Sequence, residues 1–283
     1  MITKESIGIS VVLGTYNRFD LLKLTIQSIR DELKDFLNGY EIIVIDGGST
    51  DGSMEWLITQ KDIITIIQHN RGEWLGKPIE RKSWGYFMNL GFKAAQGKYI
   101  CMVSDDCLIV PGAIRNGYDL FEQKLKQGKK VGGVAFYYRN YPFDNQYFVQ
   151  IPHGKMIINH GLYLRSALQK INFIDEEAYK FYYADADLSF RLWKAGFLII
   201  DSPTSFIEHY MDEKEKIRNE NSTVSQQDAN VFNKRWFWIV KWDALNIRIR
   251  QLLKINDKCS IRLKLFDDKS HIAQFFDQYN AKN

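Results

Sequence analysis

Two hydrophobic patterns alternate along the first 126 residues. Ile7 to Leu13 is a β-branched run of the kind found in a buried strand. After the loop Gly14-Thr15-Tyr16-Asn17, the residues Leu22, Ile26, Ile29, Leu33 and Phe36 recur every three or four positions, which predicts a helix with Asp20 placed to cap it. Glu41 to Ile45 reads as a second buried strand, running into Asp46-Gly47-Gly48-Ser49-Thr50-Asp51-Gly52, and Ile63 to Ile67 as a third. Trp84 to Ala95 predicts a helix closed by Gly97, and Tyr99 to Val103 a fourth strand ending at Ser104-Asp105-Asp106. Pro111 is a good first-turn residue for the next helix, whose apolar face is Ile114, Tyr118, Phe121 and Leu125. Strand and helix in alternation predict a mostly parallel sheet with right-handed crossovers. Ligands of such sheets bind at the carboxyl ends of the strands. The polar clusters Thr15 to Arg18, Asp46 to Asp51 and Asp105-Asp106 all fall there.

The pattern then changes. Val131 to Tyr138 and Tyr147 to Ile151 read as strands, the second bounded by Pro152-His153-Gly154. Asp185-Ala186-Asp187 opens a helix carrying Leu188, Leu192 and Trp193, which Gly196 ends, and Phe197 to Ile200 is another strand. These elements would complete the sheet and wall a pocket. From about Ser225 the chain reads as helical, with Phe232, Trp236, Ile239, Val240 and Trp242 set among basic residues: from Lys234 to Lys264 there are nine Lys or Arg and two Asp. Such a tail either covers the core with a solvated outer face or offers a basic aromatic surface to anionic lipid or a partner. The expected organisation is an α/β domain over 1–215, with a nucleotide-binding half (1–106) and an acceptor-binding half (107–215), and a helical extension over 216–283.

Composition narrows the class. Hydrophobic residues make up 45% and charged residues 25% of the 283, so neither disorder nor a fibrous protein is indicated. A net charge of +4 from 38 basic and 34 acidic residues is too balanced to point to nucleic acid. Cys101, Cys107 and Cys259 show no CxxC or Cys/His spacing, which supports neither a disulfide framework nor a zinc site and fits a reducing compartment. No run of about 18 apolar residues and no signal peptide is seen. The expectation is a cytoplasmic protein, with the tail as a site of peripheral contact at the inner face of the membrane or of homodimerisation.

Asp105-Asp106 is the sharpest chemical feature. Adjacent carboxylates repel, so unless solvated they imply a counter-cation. Hard divalent ions take oxygen ligands, share them with phosphates and neutralise a departing diphosphate. The plainer alternative is an acidic turn. Asp46 suits a donor from a base or ribose, while the same loop also suits a strand-to-helix turn capped by Ser49 or Asp51. Asp185 at a helix N-terminus is kept ionised by the dipole and suits a general base. Asp187 pairs naturally with Arg191 one turn on, and is otherwise an acceptor-side candidate with His153 and His160. His209 is either a metal or phosphate ligand or a structural histidine.

Taken together, five segments resemble the family 2 inverting glycosyltransferases, which have the GT-A fold: Val11 to Arg18, Ile43 to Gly52, Asn89 to Ile100, Ser104 to Asp106 and Asp185 to Phe197. The resemblance covers about residues 7 to 210. It implies a GT-A sheet, Rossmann-like and flanked by helices, with the C-terminal helical extension added. Thr15, Tyr16 and Asp46, with Asn17 and Arg18 in the same donor loop, would hold the nucleotide. Asp106 would bind Mn2+ or Mg2+, Asp105 would touch the ribose or sugar, and Asp185 would be the catalytic base. His209 falls where some members place a further metal or diphosphate ligand, and Lys77 or Arg81 would contact phosphate. The implied partners are a nucleotide-sugar, UDP-linked first and GDP- or dTDP-linked next, and a glycan or lipid-linked acceptor, with no nucleic acid. Three departures stand out: Gly47 where many members have a second acid, Ser104-Asp105-Asp106 in place of Asp-x-Asp, and Ala184 where a Glu is usual. Gly47 and Ala184 are what a non-catalytic nucleotide-sugar or glycan-binding module of the same fold would rest on. A nucleotidyltransferase would want a glycine- and basic-rich loop after the first strand, which Gly14 to Asn17 is not.

Overall fold

The computed structural model describes residues 7–210, 222–252 and 262–265. Its centre is a ten-stranded sheet. The strands β1 (Ile9–Thr15), β2 (Tyr40–Asp46), β3 (Ile63–Ile67) and, beyond a small hairpin of β4 (Glu73–Trp74) and β5 (Lys77–Pro78), β6 (Tyr99–Met102) pair in parallel in the order β3-β2-β1-β6. The remaining strands are β7 (Cys107–Ile109), β8 (Val131–Tyr141), β9 (Tyr147–Gln150), β10 (Gly161–Leu164), β11 (Leu198–Tyr210) and β12 (Arg262–Leu265). β10 joins β6 to β8 antiparallel on both sides, β9 and β12 extend that edge, and β11 runs parallel to β8 while holding β7 antiparallel. The expected mixed, largely parallel α/β sheet of GT-A type is the one found.

Both faces are covered, which is why the strands read as nearly continuous apolar runs. Side chains alternate across a strand. Val11 and Leu13 therefore pack with Ile26 and Ile29 of α1 (Phe19–Leu33) and Phe121 of α4 (Ala113–Lys126), together with the short α2 (Ser53–Leu57) through Leu57. Val12 and Ile45 face the other way, toward Phe87 and Phe92 of α3 (Trp84–Ala94). α3 rides close to the sheet because Gly91 has no side chain: a Cβ there would sit 2.5 Å from Val12 Cγ1 and 2.6 Å from Ile45 Cδ1. On this second face Phe190 of α6 (Ala184–Lys194), which follows the short α5 (Arg165–Lys170), meets Phe232 of α7 (Ser225–Arg235) and Trp236 edge to face. The first helix of the C-terminal extension is thus part of the core. Among the described side chains of α8 (Phe237–Leu252), Ile239 and Val240 pack against it, while Trp238 and Trp242 are 81% and 67% exposed.

Several local expectations are corrected by long-range contacts. Asp20 does not cap α1; it lies in the first turn, exposed, while Asp51 from the next loop accepts the Phe19 N–H at 2.9 Å. α4 starts at Ala113, two residues past Pro111, because buried Glu32 accepts the N–H groups of Gly112, Ile114 and Arg115 at 2.7, 3.0 and 3.0 Å. Short β7 and β10 were not expected, and β12 is a strand in a tail read as helical. Cys259 lies outside the described residues. Among the described residues no helix is long and apolar enough to cross a membrane.

Candidate active site

Thr15, Asp46 and Asp105 end or follow three neighbouring parallel strands, so they meet at one edge of the sheet. Thr15 Oγ1 donates to Asp105 Oδ2 at 2.7 Å. Thr25 of α1 fixes the turn after β6, donating to the Asp105 carbonyl at 2.9 Å and accepting the Cys107 N–H at 3.1 Å. Asp46 is fully buried; its Oδ1 accepts from Gly48 and Ser49 N–H at 2.8 and 2.7 Å, and its Oδ2 has no hydrogen-bond partner. That loop needs glycine at 48, where φ is +86° and a Cβ would lie 2.5 Å from His69 Nδ1. Asn17 does not face a ligand space: its N–H donates to Ser49 Oγ and its Oδ1 accepts the Thr50 N–H, which ties the two loops together. Tyr16 lies under the Arg71 guanidinium, 4.7 Å from ring centre to charge.

The acidic pair is buried, each residue 5% exposed. Its counter-charge in this structure is Arg18, whose Nη1 lies 3.1 Å from Asp105 Oδ1 and also hydrogen-bonds Asp106 Oδ2. Burial works against that guanidinium, but the two carboxylates outweigh it and hold its pKa above the ordinary value. Burial raises both carboxyls, and they part company through their neighbours. Asp105, buried with Asp106 beside it, is pushed up despite Arg18. Asp106 is pulled down by His209 and Arg18. β11 delivers His209: a register break between Ser202 and Phe206 lets the strand continue along β7, with His209 opposite Cys107 and the Tyr210 N–H on the Asp106 carbonyl at 2.7 Å. His209 Nε2 is 3.3 Å from Asp106 Oδ1 and Nδ1 is 2.9 Å from Asn140 Oδ1. Asp106 Oδ1 is buried and accepts no hydrogen bond. Among the described residues no three His, Cys, Asp or Glu side chains converge as a metal cluster. Of the residues expected to hold a cation, Asp106 and His209 lie 3.3 Å apart, and Arg18 stands between the two acids.

A cleft of about 390 Å³ opens above the pair. Of the sequence candidates, Thr15, Tyr16, Arg18, Arg81, Asp105, Asp106 and His209 line it. Asp185 adjoins it through Asn159, a lining residue that donates to Asp185 Oδ2 at 2.7 Å and whose own Oδ1 is unpartnered. Burial raises the Asp185 pKa, against the Ala186 N–H and the Asn159 amide that stabilise its charge. The other candidates are elsewhere. Lys77 is exposed on the small hairpin, and His153 sits in the Pro152–Gly154 turn at φ +51°. His160 is buried behind the site, its ring 5.6 Å from that of His209 and 5.2 Å from that of Tyr138, with a pKa lowered to about 3 chiefly by burial. Asp187 is fully buried, bonded to Tyr179 Oη, Arg191 Nε, Trp236 Nε1 and Arg235 Nη1, so it binds the helices together instead of facing an acceptor.

Sequence reasoning missed the far wall. Lys180, Phe181 and Tyr182 line the cleft, and their three consecutive N–H groups all donate to the buried Asp228 carboxylate of α7 at 2.9 Å. Successive amides curled around an anion form a nest. No local signal marks it, because the acid lies 46 to 48 residues from its donors. Asn89, a motif residue, is likewise architectural: it holds Ile174 and Glu176 beside α3.

The family model described as "Glycosyl transferase family 2" matches residues 10–176, more than half of the 283. A chondroitin synthase of Escherichia coli is 28% identical over 111 residues, 38% of this chain and 14% of that protein. The glycosyltransferase GlyG of Streptococcus pneumoniae serotype 4 is 28% identical over 120 residues, 41% of this chain and 36% of that protein. The matched region is thus well under two thirds of either relative's length. Among solved structures, the mannosyltransferase PcManGT from Pyrobaculum calidifontis, in complex with GDP-Man and Mn2+, aligns over 86% of this chain and 75% of its own with a TM-score of 0.56 at 16% identity. S. aureus TarS 1–349 with UDP-GlcNAc aligns over 73% of this chain and 59% of its own, with a TM-score of 0.55 at 15% identity. At such identities the likeness is one of fold.

Proposed function

Since this chain belongs to glycosyl transferase family 2, we propose that it moves a sugar from a nucleotide diphosphate to a hydroxyl of a glycan or lipid-linked acceptor. The observation that carries the reading is the cleft itself: the Asp105-Asp106 pair and Asn159, the partner of Asp185, border one cavity. Tyr16 with Arg71 offers an aromatic face to a base, and Asp46, fully buried with its Oδ2 unpartnered, directly precedes Gly47 on the lining. Arg18, Arg71, Arg81, Lys82 and Lys180 on the lining give the cavity the positive field a diphosphate needs. The neighbours solved with UDP-GlcNAc and with GDP-Man support a nucleotide-sugar as the donor class.

Asp185 takes the acceptor proton. Asn159 orients it and favours its ionised form, while burial raises its proton affinity above that of a solvated carboxylate. The deprotonated oxygen attacks the anomeric carbon from the face opposite the diphosphate, so configuration inverts in one displacement. Asp106 and His209 would hold a Mn2+ or Mg2+ ion, whose chemistry is to neutralise charge on the leaving diphosphate; the unpartnered Asp106 Oδ1 and the oxygen and imidazole donors around it suit such an ion. On this reading α8 presents Trp238 and Trp242 beside Lys241 as the surface for peripheral contact with anionic lipid. The test of the base is Asp185→Asn: donor binding is retained while transfer falls by about 100-fold or more, with product anomeric configuration read by NMR in the wild type. Unchanged turnover reassigns the base, and a retained configuration removes the single displacement.

A further inference from the structure

Arg18 touches both acids of the pair. A single Nη1 bridges Asp105 Oδ1 at 3.1 Å and Asp106 Oδ2, on a side chain that is 26% exposed and lines the cleft. Two buried carboxylates side by side need a positive charge between them, and here a protein side chain supplies it. The same Asp106 keeps a second, fully buried oxygen with no hydrogen bond, next to His209 Nε2 at 3.3 Å. The pair is therefore half satisfied: closed toward Arg18, open toward His209. A divalent ion drawn to the open oxygen also competes for the bridged ones, because it carries twice the charge of a guanidinium and takes oxygen ligands at shorter range.

We propose that Arg18 is a latch on the acidic pair, which competes with the divalent cation for Asp105 and Asp106 and is released into the cleft when the cation enters. Released there, its planar fork meets the class of anion it fits best, a diphosphate, beside Arg81 and Lys82 on the same lining. Cation entry and donor binding are thereby linked, and the empty site does not present two bare buried carboxylates. This rests on the cation reading of Asp106 given above, and goes beyond it in assigning Arg18 two successive partners.

The experiment is a titration of the full chain with Mn2+ alone, free Mn2+ being counted by electron paramagnetic resonance, for wild type, Arg18→Ala, Arg18→Lys and Asp106→Asn. A latch predicts that Arg18→Ala binds Mn2+ about tenfold more tightly than wild type, within the ordinary range of coupling between sites. Arg18→Lys falls between them, and Asp106→Asn abolishes the tightening when combined with Arg18→Ala. Thermal midpoints give a second readout: without metal Arg18→Ala melts below wild type, and saturating Mn2+ raises it by more than it raises wild type. Equal or weaker Mn2+ binding by Arg18→Ala overturns the latch and leaves the cation reading standing. Binding by neither protein overturns both. Tightening that survives in the Arg18→Ala/Asp106→Asn protein places the ion elsewhere and overturns the latch.

Discussion

Two sets of buried acids in this chain differ in what their oxygens meet. Glu32, Asp187 and Asp228 are at most 6% exposed, and each is surrounded by donors: three backbone N–H groups on Glu32, four side chains on Asp187, three consecutive amides on Asp228. Asp46 and Asp106 are as deeply buried, yet each keeps one oxygen with no hydrogen bond. A buried carboxylate is costly unless its lone pairs are met. The first set is met from within the chain and serves as internal caps and seams. The second set is met only in part: Asp106, after β6, is on the cleft lining, and Asp46, at the end of β2, directly precedes Gly47 on it. Burial alone does not mark a functional acid; an open oxygen on the cleft lining is what makes Asp106 the candidate.

The contrast breaks most visibly at Asp106 against Asp228. Asp106→Asn is expected to lower transfer by about 100- to 1000-fold, the scale of removing a main electrostatic element, and to lower stability as well, since Arg18 and His209 lose the charge they favour there. Asp228→Ala is expected to differ in kind: about 3 kcal/mol lost in urea unfolding, because three amides lose their acceptor, with the remaining folded protein still binding donor. An Asp106→Asn protein that still transfers sugar, or a neutral Asp228→Ala, would erase the distinction. A smaller effect sharpens it at Asp185, whose pKa burial raises above the model-compound value of 3.8. Only the ionised base works, so transfer rises with pH through that raised pKa, and the acid limb of the rate profile lies above 3.8. Asn159→Ala removes a hydrogen bond that favours the charged form and moves the limb to still higher pH; a limb that stays in place means Asn159 does not govern the base.

The part legible in the sequence is the part with local signals. Three apolar runs ending in polar residues gave the parallel strands and put Thr15, Asp46 and the Asp105-Asp106 pair at one edge. His209 was visible as a residue, but its place beside Asp106 depends on a register break in β11 that no local pattern announces. Glu32 and Asp228 carry no local signal, because their donors lie 80 to 83 and 46 to 48 residues away. Arg18 was grouped with the nucleotide loop, whereas its charge is spent on acids 87 and 88 residues on. The resemblance leaves Lys77 and Arg81 as alternatives for the phosphate contact; the small hairpin carries Lys77 out to solvent, while Arg81, four residues on, lines the cleft.

The proposed role of Asp106, as the acid that would make this cleft a nucleotide-sugar site, is tested most directly by a donor-screening thermal shift with Mn2+, run in parallel on wild type and Asp106→Asn. The expected result is one nucleotide-sugar class that raises the wild-type midpoint in a concentration-dependent way, as a ligand bound only by the folded state must, and leaves the Asp106→Asn midpoint unmoved. A wild-type midpoint indifferent to UDP-, GDP- and dTDP-sugars alike, or the same rise in both proteins, contradicts it.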